Sequence, residues 1–252
     1  TKEVKLSDDG KDLYRYARQM IDLQKKIEER FETGKEESKH LITIAASTIP
    51  AQYILPKILM KFNERYPKEQ VKLLETDSSQ VVTQIIDHMV DVGFTGTVLE
   101  KKHCKYIPFY KDELVVITPN TEKYQKLLED MPDDISWIGG GHLIMREEGS
   151  GTRKEAGKQL RAAGINLDKL KIIASIENQE TIKKSVKQGM GISVISRLAA
   201  EDEVKYGDLL AFSIPKADQG RDINLVYNKN YQMSKSTERF VKIVKEVYGI
   251  EE

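Results

Sequence analysis

A single cysteine, Cys104, excludes an internal disulfide and fits a reducing compartment. It sits in the strand-like run His103 to Tyr110, where a small apolar residue is its expected role. A nucleophilic role would need a base and an orienting group. The four histidines (His40, His88, His103 and His142) are scattered and suggest neither. They also make no His-Glu-x-x-His or paired-ligand spacing, so no metal site is expected and no cofactor is implied. No apolar run approaches ~18 residues, which speaks against a membrane span. The opening Thr-Lys-Glu-Val-Lys is no secretory signal. Neither charge is in excess, with 40 Lys plus Arg against 40 Asp plus Glu. That balance gives no reason for this polypeptide itself to grip nucleic acid or an anionic membrane. Signatures of catalysis are missing too. Gly149-Ser150-Gly151-Thr152 lacks the Gly-Lys-Ser/Thr of a phosphate loop, and no Gly-x-Ser-x-Gly elbow or isolated carboxylate pair stands out. The chain therefore does not read as an enzyme.

What is present is a 252-residue chain, 39% hydrophobic and 32% charged, enough for one large domain or two modest ones. Residues 11–35 read as one amphipathic helix. Leu13, Ala17, Met20, Gln24, Ile27 and Phe31 recur at spacings of three and four, Ser7 or Asp8 can cap the start, and Gly34 is the expected stop. A lone helix of this length is marginal in water. It either folds back on the body or pairs with another chain; the polar stretch Gly34 to Lys39 detaches it and favours a partner.

Beyond that linker, strands and helices alternate. Leu41–Ala46 is a buried strand, followed by a helix through Ile54, Ile58 and Phe62 that Pro56 either kinks or delays. Val71–Glu75 is a strand, Val81 to Met89 a helix stripe and Asp91–Thr95 a strand, so a parallel β-α-β-α-β sheet is expected. Strands at Lys105–Phe109 and Leu114–Thr118 complete that unit. A second unit has a helix at Glu122–Glu129, a turn at Ile138–Gly141, a strand at His142–Met145 and a helix after Gly151. A strand at Lys171–Ile176, a helix at Glu180–Gln188 and a strand at Ile192–Ile195 follow. Strands at Leu209–Ile214 and Ile223–Tyr227 and a helix through Phe240, Val244 and Val247 close the chain. This is an α/β pattern of two Rossmann-like lobes with a cleft between them, the chain crossing near 117–120 and returning after Ser196. Ligands of open α/β sheets sit at the carboxyl ends of the strands.

The segment Arg146-Glu147-Glu148-Gly149-Ser150-Gly151-Thr152-Arg153 carries the most chemistry. It follows the run Leu143-Ile144-Met145 and opens a helix. Free backbone N–H groups, two hydroxyls and the Arg153 guanidinium therefore gather at one helix N-terminus, which favours an anion.

Four segments together resemble the linker helix and effector-binding region of LysR-type transcriptional regulators. Leu6-Ser7-Asp8-Asp9-Gly10 through Tyr16-Ala17 resembles the junction of winged helix-turn-helix and dimerising helix. Ala45-Ala46-Ser47-Thr48 with Tyr53 to Pro56 and Phe62-x-x-x-Tyr66-Pro67 is similar to the first strand-helix of the effector region, and Asp91 to Gly96 to its Asp-x-Gly-x-x-Gly strand end. Arg146 to Arg153, Asn178 to Ile182 and Val186 to Ser193 resemble the second lobe. The resemblance implies a type 2 periplasmic-binding-protein-like fold preceded by a long linker helix. Its divisions would be 1–38 (end of wing and dimerisation helix), 39–118 with 210–252 (lobe I) and 119–209 (lobe II). It implies a cytoplasmic homodimer or homotetramer that senses a small anionic effector, whether carboxylate, amino acid or oxyanion. The change would pass to operator DNA through a winged helix-turn-helix that this sequence does not include, with RNA polymerase as a further partner. On this reading the chain, which starts at Thr1, is a truncated regulator.

Carried over by motif, the effector contacts would be Ser47, Thr48, Thr95, Gly96, Ser150, Gly151, Thr152, Arg153, Asn178 and Gln179. The dimerisation helix would use Leu13, Ala17, Met20 and Ile27. Ile49-Pro50 departs from the family pattern and removes a backbone donor. Plainer roles stand beside these. Ser47, Thr48, Ser150 and Thr152 can serve as helix caps, Thr95 as a strand end, Gly149 and Gly151 as turn residues, and Gly189 and Gly191 as a cap and a tight turn. Arg153 in a first helical turn opposes the dipole, so a ligand or an acidic partner is expected beside it. A stand-alone solute-binding protein of the same fold is the alternative; the missing export signal and the N-terminal apolar stripe speak against it.

Overall fold

A computed structural model describes residues 6–31, 41–132, 134–215 and 220–250. The first helix, α1 (Asp8–Phe31), is capped by Ser7, whose Oγ accepts from the Gly10 N–H at 3.1 Å. The expected stop at Gly34 and the polar linker lie outside the described residues. Among the described residues nothing covers the stripe on α1: Leu13, Met20 and Ile27 are 70%, 72% and 51% exposed, and Ala17 is half-buried.

The body begins with β1 (Leu41–Ala46), a π turn at Pro50–Ile54 and α2 (Leu55–Arg65). The expected disturbance at Pro56 takes the form of that wide turn. Pro56 offers no N–H, and the Leu55 N–H reaches back five residues to the Pro50 carbonyl. Next come β2 (Gln70–Glu75), α3 (Ser78–Ile86), β3 (Val92–Thr95) and β4 (Cys104–Asp112). The chain continues through β5 (Leu114–Pro119), α4 (Glu122–Asp130), β6 (His142–Met145), α5 (Gly151–Ala162) and β7 (Lys171–Ser175). It ends with α6 (Gln179–Lys187), β8 (Ile192–Ser196), α7 (Arg197–Lys205), β9 (Leu209–Ser213), β10 (Arg221–Asn228) and α8 (Lys235–Tyr248).

Two five-stranded sheets result, in the orders β2-β1-β3-β10-β4 and β7-β6-β8-β5-β9. Both are mixed. β2, β1 and β3 run parallel, as the β-α-β reading requires, but β10 is antiparallel to β3 and β4. Likewise β5 is antiparallel to β8 and β9, beside parallel β6, β7 and β8. The antiparallel strand is in each case the one that arrives directly from the other sheet. This corrects the expected membership: Leu114–Thr118 belongs to the second sheet, so the chain crosses at Glu113 rather than near 117–120. It returns only after β9, so 210–213 also lies with the second sheet. Alternation identifies a strand without naming the strand it pairs with. Helix α7 is an element the periodicity did not predict; only Ala199 and Ala200 on it are buried.

Both sheets are covered on both faces. Within β5, Val115 and Ile117 join one apolar cluster and Leu114 and Val116 another, all fully buried. The first of these clusters is continuous between the lobes, including Ile54, Phe62, Phe94 and Phe240 of one and Ile144, Ile182, Val186 and Ile195 of the other. Cys104 is buried beneath α3, and burial pushes its thiol up to about 11. It is therefore a neutral packing group at neutral pH, the role read for it from the sequence.

The crossing is held by ion pairs. Asp112 ends β4 and Arg221 opens β10, and the two pair at 2.7 and 2.8 Å with side chains 0% and 4% exposed. The Ser196 hydroxyl, at the end of β8, also donates to Asp112 at 2.6 Å. Beside them Arg197 forks onto Glu113 at 2.5 and 2.9 Å and holds that carboxyl below the usual carboxylate range. Among the described residues no helix is long and apolar enough to cross a membrane.

Candidate functional site

Three helix N-termini converge where the sheets face each other. Ser47 leaves β1 and hands its carbonyl to the Ala51 N–H, opening the helical turn from Thr48. Asp77 leaves β2 and caps α3, its carboxylate accepting from the Ser79 and Gln80 N–H groups at 2.7 and 3.0 Å. Ser150 leaves β6 and caps α5 through the Arg153 N–H at 3.4 Å. Each lies in the turn between a strand and the next helix and is a residue type that favours N-caps. Together they line one polar cavity of about 10 Å³, room for roughly one water. Ser47, Thr48 and Ile49 form one wall, Thr76, Asp77 and Ser78 the second, and Ser150, Gly151 and Thr152 the third; Arg146, Glu147 and Arg221 close it.

The lobes touch across this cavity. A Cβ placed on Gly151 would stand 2.8 Å from Ser78 Oγ and 3.2 Å from Thr97 Cγ2, and one on Gly149 would meet the Asp77 carboxyl at 2.9–3.3 Å. Glycine at 151 thus lets α5 press against α3. Replacing Gly151 by Ala is expected to hold the lobes apart and weaken binding of a ligand in the cavity about tenfold, from an overpacking cost on the order of 1–3 kcal/mol. Calorimetric titration alongside thermal melting checks it: weaker binding by a protein that still melts cooperatively, at a modestly lower Tm, is the expected pattern, and wild-type affinity would refute it.

The charges are arranged in pairs. Arg146, 5% exposed, forks onto Glu147, Nε to Oε2 and Nη2 to Oε1 both at 2.8 Å, and its Nη2 reaches Thr48 Oγ1 at 3.4 Å. Arg221 donates from Nη1 to Thr152 Oγ1 at 3.0 Å while holding Asp112 with the rest of its fork. The Ser78 hydroxyl, 1% exposed, has no hydrogen-bond partner among the described residues.

Of the residues expected from the sequence, Ser47, Thr48, Ser150, Gly151 and Thr152 line this cavity. The others do not. Thr95 is buried with its hydroxyl donating to the Thr97 carbonyl at 2.9 Å. Gly96 lies under Arg221, whose Nη1 would be 3.1 Å from an added Cβ. Asn178 is exposed and caps α6 through the Thr181 N–H. Gln179 is 2% exposed, and its amide has no hydrogen-bond partner among the described residues. Arg153 turns away from the cavity: its Nη1 donates to the Arg146 carbonyl at 2.8 Å and approaches Ser175 Oγ at 3.4 Å. The acidic or anionic neighbour expected for it is a backbone carbonyl at the end of β6. Sequence reasoning passed over Thr76, Asp77 and Ser78, although the strand-to-helix rule that selected Ser47 applies to them equally. Arg146 and Glu147 fall in the segment 146–153 that the sequence singles out, but without a contact role, and for Arg221 no local spacing gives a signal.

The family model described as LysR substrate binding domain matches residues 35–249. An uncharacterised HTH-type transcriptional regulator YeiE of Escherichia coli (strain K12) is 28% identical over 240 residues, which is 95% of this chain and 78% of that protein. Among solved structures, the effector binding domain of QuiR in complex with shikimate superposes with a TM-score of 0.73 at 16% identity, covering 84% of this chain and 98% of that one. The regulatory domain of CcmR from Synechocystis PCC6803 in complex with 2-PG gives 0.73 at 24% identity, covering 83% and 97%. The two mixed sheets and their helices have the type 2 periplasmic-binding-protein-like fold of these domains.

Proposed function

The chain belongs to the family of LysR substrate-binding domains, the effector-binding part of LysR-type transcription regulators, and on that premise we propose that it holds a small anionic effector between its lobes without transforming it. Regulators of this family also act on DNA. The observation that carries the reading is the polar cavity itself. Helix N-termini from both lobes, the Arg146 guanidinium and the unpartnered Ser78 hydroxyl meet there, while the same two lobes elsewhere share apolar contacts. Backbone donors and helix dipoles favour negative charge, and Arg146 matches a carboxylate or oxyanion. An effector held by both lobes stabilises their closed arrangement through its differential affinity for it, and that difference is what a DNA-binding part would feel. The cytoplasm is where such a regulator meets DNA. Calorimetric titration with small carboxylates, amino acids and inorganic oxyanions tests the reading. One compound is expected to bind once per chain; a uniformly silent panel would sink it, and turnover of any of them would return the enzyme reading.

The exposed stripe on α1 supports assembly through that helix rather than the solitary life of a solute-binding protein. Replacing Leu13 and Met20 by Glu is expected to shift the oligomer towards monomer at micromolar concentration. Light scattering on the two proteins reads it, and an unchanged mass would place the interface elsewhere.

A further inference from the structure

We propose that Glu147 is a tethered stand-in for the effector's anionic group, so that binding proceeds by exchange of one carboxylate or oxyanion for another on Arg146. The inference rests on the interlobe binding site proposed above and specifies its chemistry. Glu147 lines the cavity and accepts with both carboxylate oxygens from the Nε and Nη2 edge of Arg146, at 2.8 Å each. That is the planar, two-point contact a ligand carboxylate would make.

Charge at the cavity makes the exchange necessary. Arg146 and Arg221 bring two positive charges; Glu147, Asp77 and Asp112 bring three negative ones. A further anion among them would add repulsion between charges held a few ångströms apart. One carboxylate has to leave, and two of the three cannot. Asp112 is 0% exposed and takes Arg221 and Ser196. Asp77 is fixed by two N–H groups of α3. Glu147 has a side chain 21% exposed and lies in a turn closed by its own carbonyl, which accepts from the Ser150 N–H at 3.1 Å. Its side chain can therefore rotate towards solvent without breaking that turn. The departing carboxylate vacates the volume the entering group needs in a cavity of about 10 Å³. The ligand class that follows is a compact group with at least two oxygens in one plane: a carboxylate, a sulfate or a phosphate. Neutral polyols and cations leave Glu147 where it is.

The test compares wild-type chain with Glu147→Gln, titrated calorimetrically with sodium sulfate, sodium phosphate and sodium succinate at low ionic strength, where ion pairing is least screened. The amide keeps the size of the side chain and removes the competing charge. At least one of these anions is expected to bind Glu147→Gln about tenfold or more tightly than it binds wild type, the loss of a charge-assisted competitor. The gain should vanish when Arg146→Gln is added, a readout that a merely structural role for Glu147 would not produce. Anion binding by wild type that is unchanged or weakened in Glu147→Gln overturns the exchange while leaving the interlobe site standing. A gain that survives Arg146→Gln overturns it too. Binding of no anion by either protein overturns both. Circular dichroism confirms that the variants are folded.

Discussion

Replacing Arg221 by Met lowers the unfolding free energy by about 3–5 kcal/mol, the cost of leaving one partner of a buried ion pair uncompensated. Asp112 makes the cost unavoidable. Its side chain is fully buried and takes two bonds from Arg221, with only the Ser196 hydroxyl left once the guanidinium is gone. The position of the pair adds to the effect. Asp112 ends the last strand before the chain leaves the first sheet, and Arg221 begins the first strand after it returns, so the pair ties both crossings together. Arg221 also reaches Thr152 at the start of α5, so the variant frees the wall of the cavity as well. Urea unfolding at neutral pH, followed by far-UV circular dichroism, gives the shift in midpoint. A loss below about 1 kcal/mol would mean that water reaches Asp112 and that the crossing is looser than the structure has it. A companion variant, Asp112→Leu with Arg221→Met, is expected to recover much of the loss, since an apolar pair of similar size removes the stranded charge.

That ion pair also marks where the sequence stops being legible. Its members are 109 residues apart, and no spacing rule connects an Asp at one strand end with an Arg at another strand start. The same holds for the sheets. Strand and helix alternation from Leu41 to Tyr248 is readable because burial on one face leaves a period, and the cap residues Ser47 and Ser150 mark where helices begin. Which sheet β5 and β9 enter is not readable, because all six residues of β5 are buried and the run carries no face at all. Helix α7 escaped for the opposite reason: Arg197-Leu198-Ala199-Ala200-Glu201-Asp202 buries only two alanines fully and leaves Leu198 half-buried against the core, too short a stripe to show a period. In the site, walls built by local strand-to-helix transitions could be anticipated. The groups that close it from a distance could not.

Arg153 takes protein partners that its local context does not name, and it sets the second large effect. A cation in a first helical turn is unfavourable for the dipole, which pointed to a compensating anion. The structure compensates with the Arg146 carbonyl and the Ser175 hydroxyl instead. The guanidinium of Arg146, seven residues earlier, faces the cavity instead, beside that of Arg221. Arg146→Gln is therefore expected to weaken the bound effector by about 1.5–3 kcal/mol, a factor of roughly 10 to 150, the worth of hydrogen bonds to a charged group. Arg153→Gln should leave affinity within about threefold, because it removes a contact outside the cavity. The fold should tolerate Arg146→Gln better than Arg221→Met. Its partner Glu147 is part-exposed and can turn to water, whereas Asp112 cannot. The measurement is a titration of both variants with whichever carboxylate, amino acid or oxyanion binds wild type, with melting curves alongside. The reverse ranking, binding lost in Arg153→Gln and kept in Arg146→Gln, would move the ligand to the Ser175 side of β7 and away from the converging helix N-termini.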